Sequence, residues 1–145
     1  MTHRRYPSYA LAMLLVAASL LMVACGGRGD ARKRVQVEVG KVVDLASKSV
    51  DTLDFGKVRA GEVVELPLTL TNSSSSPIVV VTTDTSCGCL EMTDYSRQPL
   101  YGGAKEQAKM MFYSSGYNYF PPRAFYIVTS SSLEPKKLIV TAEME

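Results

Sequence analysis

One alternating run between residues 63 and 71 constrains the fold of this chain more than any other feature. Its apolar side chains occupy every second position and are Val64, Leu66, Leu68 and Leu70. This period of two is typical of a strand with one buried face and excludes a regular helix. Pro67 lies within the run and has no N–H to donate, so it predicts an edge position or a bulge.

Similar strand patterns recur to the end of the chain. The residue range 78–83 is a continuous β-branched run that favours a strand covered on both faces, and residues 137–144 alternate like residues 63–71. Six or seven strands without a helical period within residues 51–145 predict an all-β fold. We expect a single immunoglobulin-like Greek-key β-sandwich of about seven strands.

The N-terminal residues have the pattern of an export signal. His3, Arg4 and Arg5 precede an apolar run that ends in small residues before Cys25, and this run is too short for a typical membrane span. Residues 21–27 resemble a bacterial lipobox. The resemblance implies cleavage of a signal peptide at residues 1–24 and attachment of lipid to Cys25.

A lipid on Cys25 would hold the mature protein at a membrane surface without a spanning helix, because each buried methylene contributes about 0.8 kcal/mol. Residues 25–50 begin with small, polar and cationic side chains and are predicted to form a flexible tether, with a short edge strand beginning near Val35. Gly26 in place of an acidic residue after the cysteine favours the periplasmic face of the outer membrane.

Charge and composition exclude several classes of function. Residues 51–145 carry eight basic and eleven acidic side chains, so the folded part lacks the basic stripe of a nucleic-acid-binding protein. His3 is the only histidine and lies in the predicted signal peptide. The mature chain therefore has no imidazole for general-base catalysis or metal binding, and we expect neither an enzyme nor a cofactor.

Ordered motifs in residues 51–145 resemble the bacterial domain-of-unknown-function family numbered fifteen seventy-three, whose members are similar to the immunoglobulin-like modules of hydin and abnormal-spindle proteins. The motifs are, in order, Asp54-Phe55-Gly56-Lys57-Val58, Gly61-Glu62, Leu70-Thr71-Asn72, Ser86-Cys87-Gly88-Cys89, Gly103 and Glu134-Pro135. The resemblance implies the sandwich fold and no particular activity. Tyr101-Gly102-Gly103 stands where the family has a Pro-Gly turn.

Cys87 and Cys89 are the one candidate reactive pair in residues 51–145. Cysteines of exported proteins tend to be oxidised, but residues two apart in an extended chain suit a disulfide only if Gly88 bends the backbone. Three interpretations remain open: a structural pair, a copper(I) site with Met92 nearby, or a thiol-disulfide exchange site.

A tyrosine-rich segment, residues 113–122, has the composition of a binding loop. Tyr113, Tyr117, Tyr119 and Phe120 are its aromatic members, and such rings offer a large contact area at low entropic cost. The alternative is that these rings cover the core of their own domain.

Together these features predict a lipid-anchored, non-catalytic envelope protein whose immunoglobulin-like module contacts an envelope protein or a glycan through its loops. The alternative is an envelope protein that uses Cys87 and Cys89 for thiol redox chemistry or copper(I) binding.

Overall fold

The structure is a computed structural model that describes residues 33–145. The predicted signal peptide and Cys25 lie outside the described residues. The nine strands of the described part are β1 (Arg34–Gln36), β2 (Lys41–Asp44), β3 (Asp51–Val58), β4 (Val63–Thr71), β5 (Val80–Thr85), β6 (Leu90–Thr93), β7 (Lys105–Tyr113), β8 (Arg123–Thr129) and β9 (Lys136–Met144).

The strands form two sheets. One contains β1, β2, β4, β7 and β6, with β4 paired to β7 on one side and to both β1 and β2 on the other; the second has the order β3-β9-β8-β5. Buried side chains from both sheets form one apolar cluster. The predicted all-β sandwich is confirmed, with nine strands in the described residues instead of about seven.

The additional strands come from the segment that the sequence analysis assigned to the tether. β1 and β2 both run parallel to β4, in registers that place Arg34 opposite Val63 and Val43 opposite Leu70. Val43 is fully buried in the core. The ordered domain therefore includes residues well before residue 51.

β4 has the buried face that its alternation predicts, but the edge position or bulge predicted from Pro67 was wrong, because β4 pairs on both sides. Val64, Leu66, Leu68 and Leu70 are all buried, and β4 pairs with β7 without interruption from Val63 opposite Tyr113 to Thr71 opposite Lys105. Since burial of one such side chain contributes about 1.5–3 kcal/mol, this face accounts for much of the hydrophobic stabilisation of the first sheet.

Pro67 is accommodated where β4 changes partner. The backbone of Glu65 accepts a hydrogen bond from Val37 N at 2.8 Å and so faces β1 and β2; Pro67, two residues later, faces the same way. Its missing N–H falls between the end of β1 and the start of β2, beside Gly40, where a Cβ would approach the Pro67 oxygen to 3.1 Å. The proline therefore leaves no donor unpaired in the ladder.

The prediction that residues 78–83 are covered on both faces was wrong. Ile78 and Val80 are buried, but Val81 is half exposed, because the two-sheet sandwich covers only the inner face of β5. A β-branched run indicates a strand, but it does not show whether one face or both faces are covered.

Asn72 is the buried polar residue that organises the loop after β4. Its side-chain nitrogen donates to the carbonyl oxygens of Ser76 and Leu100, each at 2.8 Å, and its side-chain oxygen accepts from the Ser74 amide and hydroxyl at 2.9 and 2.7 Å. The amide is fully satisfied, which explains why asparagine ends this family motif. At Gly102, a Cβ would overlap the Ser74 carbonyl oxygen, so this glycine has a packing role.

We expect Asn72→Ala to lower the free energy of unfolding by about 2–3 kcal/mol, because it leaves the Ser74 amide without its acceptor and removes one of the two donors to the Leu100 carbonyl, which keeps its bond from Ile78 N. Urea unfolding followed by circular dichroism measures the change. Ser75→Ala, in the same loop but exposed, should stay within about 0.5 kcal/mol of the unchanged protein; an equal loss in both variants would refute this role for Asn72.

Candidate functional site

Apart from residues 37–40, which lie beside the middle of β4, the strand directions sort the loops of the described domain to one of two ends. We call the first the cysteine end: it carries residues 59–62, 86–89 and 114–122, together with Lys33, whose carbonyl accepts from Val63 N. We call the second the serine end: it carries residues 45–50, 72–79, 94–104 and 130–135. The candidate sites divide between these ends.

At the serine end, Asp44 joins the loop after β2 to the loop after β4. Its carboxylate accepts from the backbone amide of Ala46 at 3.0 Å and from the amide and hydroxyl of Ser73 at 3.1 and 2.5 Å. Partial burial acts to raise the pKa of Asp44, but these hydrogen bonds and the charge of Lys136 outweigh it and hold the pKa below its usual value. The carboxylate therefore stabilises the fold above about pH 4, and this stabilisation is lost as the pH falls through the folded-state pKa.

Lys136 joins the loop after β2 to the start of β9. Its side chain is only 1% exposed, and Nζ lies 2.8 Å from Asp51 Oδ2. Nζ also donates to the backbone oxygens of Ser47 and Ser49 at 3.1 and 2.7 Å. Three N–H groups thus meet three strong acceptors, which is the condition under which a buried ammonium is tolerated.

A pocket of about 320 Å³ opens between the loops that Asp44, Asn72 and Lys136 hold. Leu45, Ile78 and Pro135 supply apolar lining, and serine hydroxyls come from all three loops that surround it, among them Ser76 and Ser131. Polar contacts of Asp44, Asn72 and Lys136 hold two of the lining loops, residues 45–50 and 72–79, so this part of the pocket wall is preformed.

Two charged side chains, Lys48 and Glu134, also line the pocket. Neither forms an ion pair within the described residues, where the salt bridges lie elsewhere. The pocket therefore combines an apolar surface, neutral hydroxyls and one unpaired charge of each sign.

At the cysteine end, Cys87 and Cys89 form a disulfide with their Cα atoms 5.2 Å apart. Residues 86–89 leave the extended conformation between β5 and β6, as a bond between residues two apart requires. Gly88 is absent from the glycines with positive φ, so the bend needs no left-handed residue. Cys89 is 4% exposed and belongs to the core, while Cys87 is half-buried. The bond closes the crossing from one sheet to the other.

The copper(I) hypothesis requires this pair in the reduced form. Met92 is buried in the core on β6, opposite Met110. Within residues 33–145 no group of three or more histidine, cysteine, aspartate or glutamate residues could hold a metal ion. Copper(I) binding stays a prediction from the sequence.

The tyrosine-rich segment divides into core and surface residues. Phe120 is 4% exposed, and its ring centroid lies 4.4 Å from that of Phe112. Tyr117 packs against both rings, and the Tyr113 hydroxyl donates to Glu91 at 2.8 Å. Tyr119 is 73% exposed. Of the four predicted binding residues, Tyr119 alone is freely accessible at the surface.

Ser114 ties this segment to the turn before β4. The side chain is fully buried, and its hydroxyl lies 2.8 Å from the carbonyl oxygens of Arg59 and Glu62. Sequence analysis missed Ser114 as well as Asp44 and Lys136. In the sequence, each of the three is a small polar or a charged residue at the boundary of a strand. Such residues are common, so this pattern does not identify any of the three.

The model of the DUF1573 family, proteins of unknown function, matches residues 46–144. The chain belongs to this family. The function of this family is unknown, but its glycine motifs have a role in the fold. Gly56 has φ +67° at a register shift of β3, and its amide donates to Asp54 Oδ1 at 2.9 Å. Gly61 and Gly103 also have positive φ in turns.

Among solved structures, the Vibrio cholerae VesB protease is similar over 66% of this DUF1573 chain and 30% of the protease chain, with a TM-score of 0.50 and 12% identity. Amebosin matches over 72% of this chain and 99% of its own, with a TM-score of 0.26 and 12% identity. No curated protein matches the sequence. The likeness to VesB concerns the fold alone, and the match spans less than a third of that protein.

No helix in the described part of the chain is long and apolar enough to cross a membrane.

Replacing Lys136 with methionine should lower the free energy of unfolding by about 3 kcal/mol, because Asp51 and two carbonyl oxygens lose their buried partner. Chemical denaturation at neutral pH measures this loss. Lys137→Met changes the exposed neighbour on the same strand and is expected to cost less than about 0.5 kcal/mol; a Lys136→Met protein as stable as this control would contradict the structural role.

The aromatic segment predicts a second contrast. Phe120→Ala should destabilise the protein by about 3–4 kcal/mol, since it empties a space beside Phe112 in the core. Tyr119→Ala should leave the melting temperature nearly unchanged, because the ring contacts solvent. Thermal unfolding followed by circular dichroism checks both variants, and equal melting temperatures for the two would show that the segment does not cap the core.

Proposed function

We propose that this DUF1573 protein is a lipid-anchored, non-catalytic module of the cell envelope that contacts another protein through its serine end. The observation that carries the proposal is the position of the preformed pocket, at the end opposite Lys33. Cys25 precedes Lys33 by eight residues, which span at most about 29 Å. A lipid on Cys25 would keep the cysteine end within this distance of the membrane, so the serine end is the end that can extend farther from it.

The chemistry of the pocket supports binding over catalysis. Its serines have no histidine to act as a base, because His3 is the only histidine of the chain. The buried amine, Lys136, has its three N–H groups engaged by Ser47, Ser49 and Asp51. Neither a serine nor this lysine is therefore activated as a nucleophile.

The surface around the pocket favours a protein partner over a glycan. No aromatic ring lines the pocket for stacking on a sugar. Three large apolar side chains exposed in the described domain, Val50, Tyr101 and Leu133, lie at the serine end. Exposed apolar side chains next to polar groups are typical of protein contact surfaces.

Photo-crosslinking in intact bacteria tests the proposed contact surface. A photoreactive amino acid at Tyr101 should give a discrete crosslinked protein, whereas the same group at Tyr119 on the cysteine end should give none. Both side chains are exposed, so accessibility is matched. A product at Tyr119 and none at Tyr101 would place the contact surface at the cysteine end and contradict this proposal.

The anchor has its own test. Cys25→Ser should transfer the protein from the membrane to the soluble fraction, because acyl chains supply the membrane affinity. Washing with high salt removes protein held by charge alone. Membrane association of the Cys25→Ser protein after this wash would be incompatible with a lipid anchor.

A second candidate function rests on the unequal exposure of the disulfide. An incoming protein thiolate would reach the half-buried Cys87 sulfur, form a mixed disulfide with it and release Cys89 as a thiolate, so that the number of disulfides is conserved. The test treats the folded protein at neutral pH with a small-molecule dithiol of low reduction potential and then with an alkylating agent. Thiol-disulfide exchange predicts that the measured mass shows two alkylated cysteines. Failure to alkylate the folded protein would assign the pair a structural role.

A further inference from the structure

The serine end carries a projecting apolar side chain beside a pocket with apolar lining. Leu133 is fully exposed in the turn between β8 and β9. Its neighbours in the same turn, Ser132 and Glu134, line the pocket. One turn therefore supplies both a projecting group and part of the wall of a recess.

The charges of this surface are also matched to each other. Lys48 lines the pocket from the loop after β2, and Glu134 lines it from the turn after β8. Neither has an ion-pair partner within the described residues. Because Glu134 directly follows Leu133 in the turn, a second copy whose Leu133 entered this pocket would bring its Glu134 towards the Lys48 that lines it, and a two-fold rotation makes this contact reciprocal.

We propose that the partner at the serine end is a second copy of this chain. Leu133 of each protomer enters the pocket of the other, and Lys48 of each faces Glu134 of the other across a two-fold axis. This inference rests on the proposed function and deepens it by naming the occupant of the same surface.

The rigidity of the pocket favours this exchange. The side chains of Asp44, Asn72 and Lys136 hold the loops at residues 45–50 and 72–79 through hydrogen bonds to backbone groups. Association then orders few additional groups, so less conformational entropy is lost on binding. Leu133 is fully exposed in the single chain, so its insertion into a pocket breaks no contact within its own protomer.

A contact of this size is weak in dilute solution and is strengthened when both copies are attached to one membrane. Confinement raises the effective concentration of one protomer around the other, and the gain requires no additional contact. The dimer is therefore best sought with the full chain in its own membrane.

The experiment places a photoreactive amino acid at Leu133 of the full chain in intact bacteria. We expect a product of twice the mass of the chain, with the crosslink mapped by mass spectrometry to the pocket residues Leu45 or Ile78. A photoreactive group at Tyr119 is the matched control and should give no such product.

Charge reversal then tests the orientation. Lys48→Glu and Glu134→Lys should each reduce the dimer product about tenfold, because like charges face each other, and the double variant should restore it. Both side chains lie on the pocket rim, so the melting temperature should not change. Failure of the double variant to restore the product would overturn the two-fold arrangement.

The outcomes at Leu133 separate this inference from the proposed function. A crosslink to a different protein would overturn the second copy as occupant and leave the serine end as a contact surface. No product at Leu133 or Tyr101 from folded, membrane-bound protein would overturn both.

Discussion

The pairing of β4 with β7 is the constraint on which the rest of this domain depends. It joins nine consecutive residues of each strand without a register shift and directs the alternating apolar side chains of β4 into the core. A slip of one residue would expose that entire set, so the hydrophobic effect enforces the register. β1 and β2 pair with the other edge of β4, and Pro67 lies opposite the gap between these two strands.

The two ends of the sandwich are stabilised by different interactions. The cysteine end is closed by aromatic packing around Phe112 and by the disulfide between β5 and β6. The serine end is held by polar groups, namely Asp44, Asn72 and Lys136, each of which meets several partners. Apolar side chains fill the core at the first end, while at the second end a pocket opens among loops that are joined by polar contacts.

This difference bears on function. The chain has one histidine, near its N-terminus, and the buried cation near the pocket is fully occupied by acceptors. What the serine end offers to another molecule is shape, hydroxyl groups and two unpaired charges. Under the proposed function, such a surface would recognise a partner by complementarity of shape and charge, without a chemical step.

The sequence by itself determined the all-β class, the inward face of β4 and the absence of imidazole from the folded part, because a period of two and a residue count need no tertiary information. It left the state of Cys87 and Cys89 open and made a disulfide between them conditional on a bend at Gly88. Only the tertiary structure decided that β1 and β2 run parallel to β4, that β5 is an edge, and that Phe120 packs in the core. Likewise, Lys136 finds its acceptor Ser49 at a separation of 87 residues. The physical reason is that side-chain period reveals which face of a strand is buried, whereas the neighbours of that strand depend on packing between distant parts of the chain.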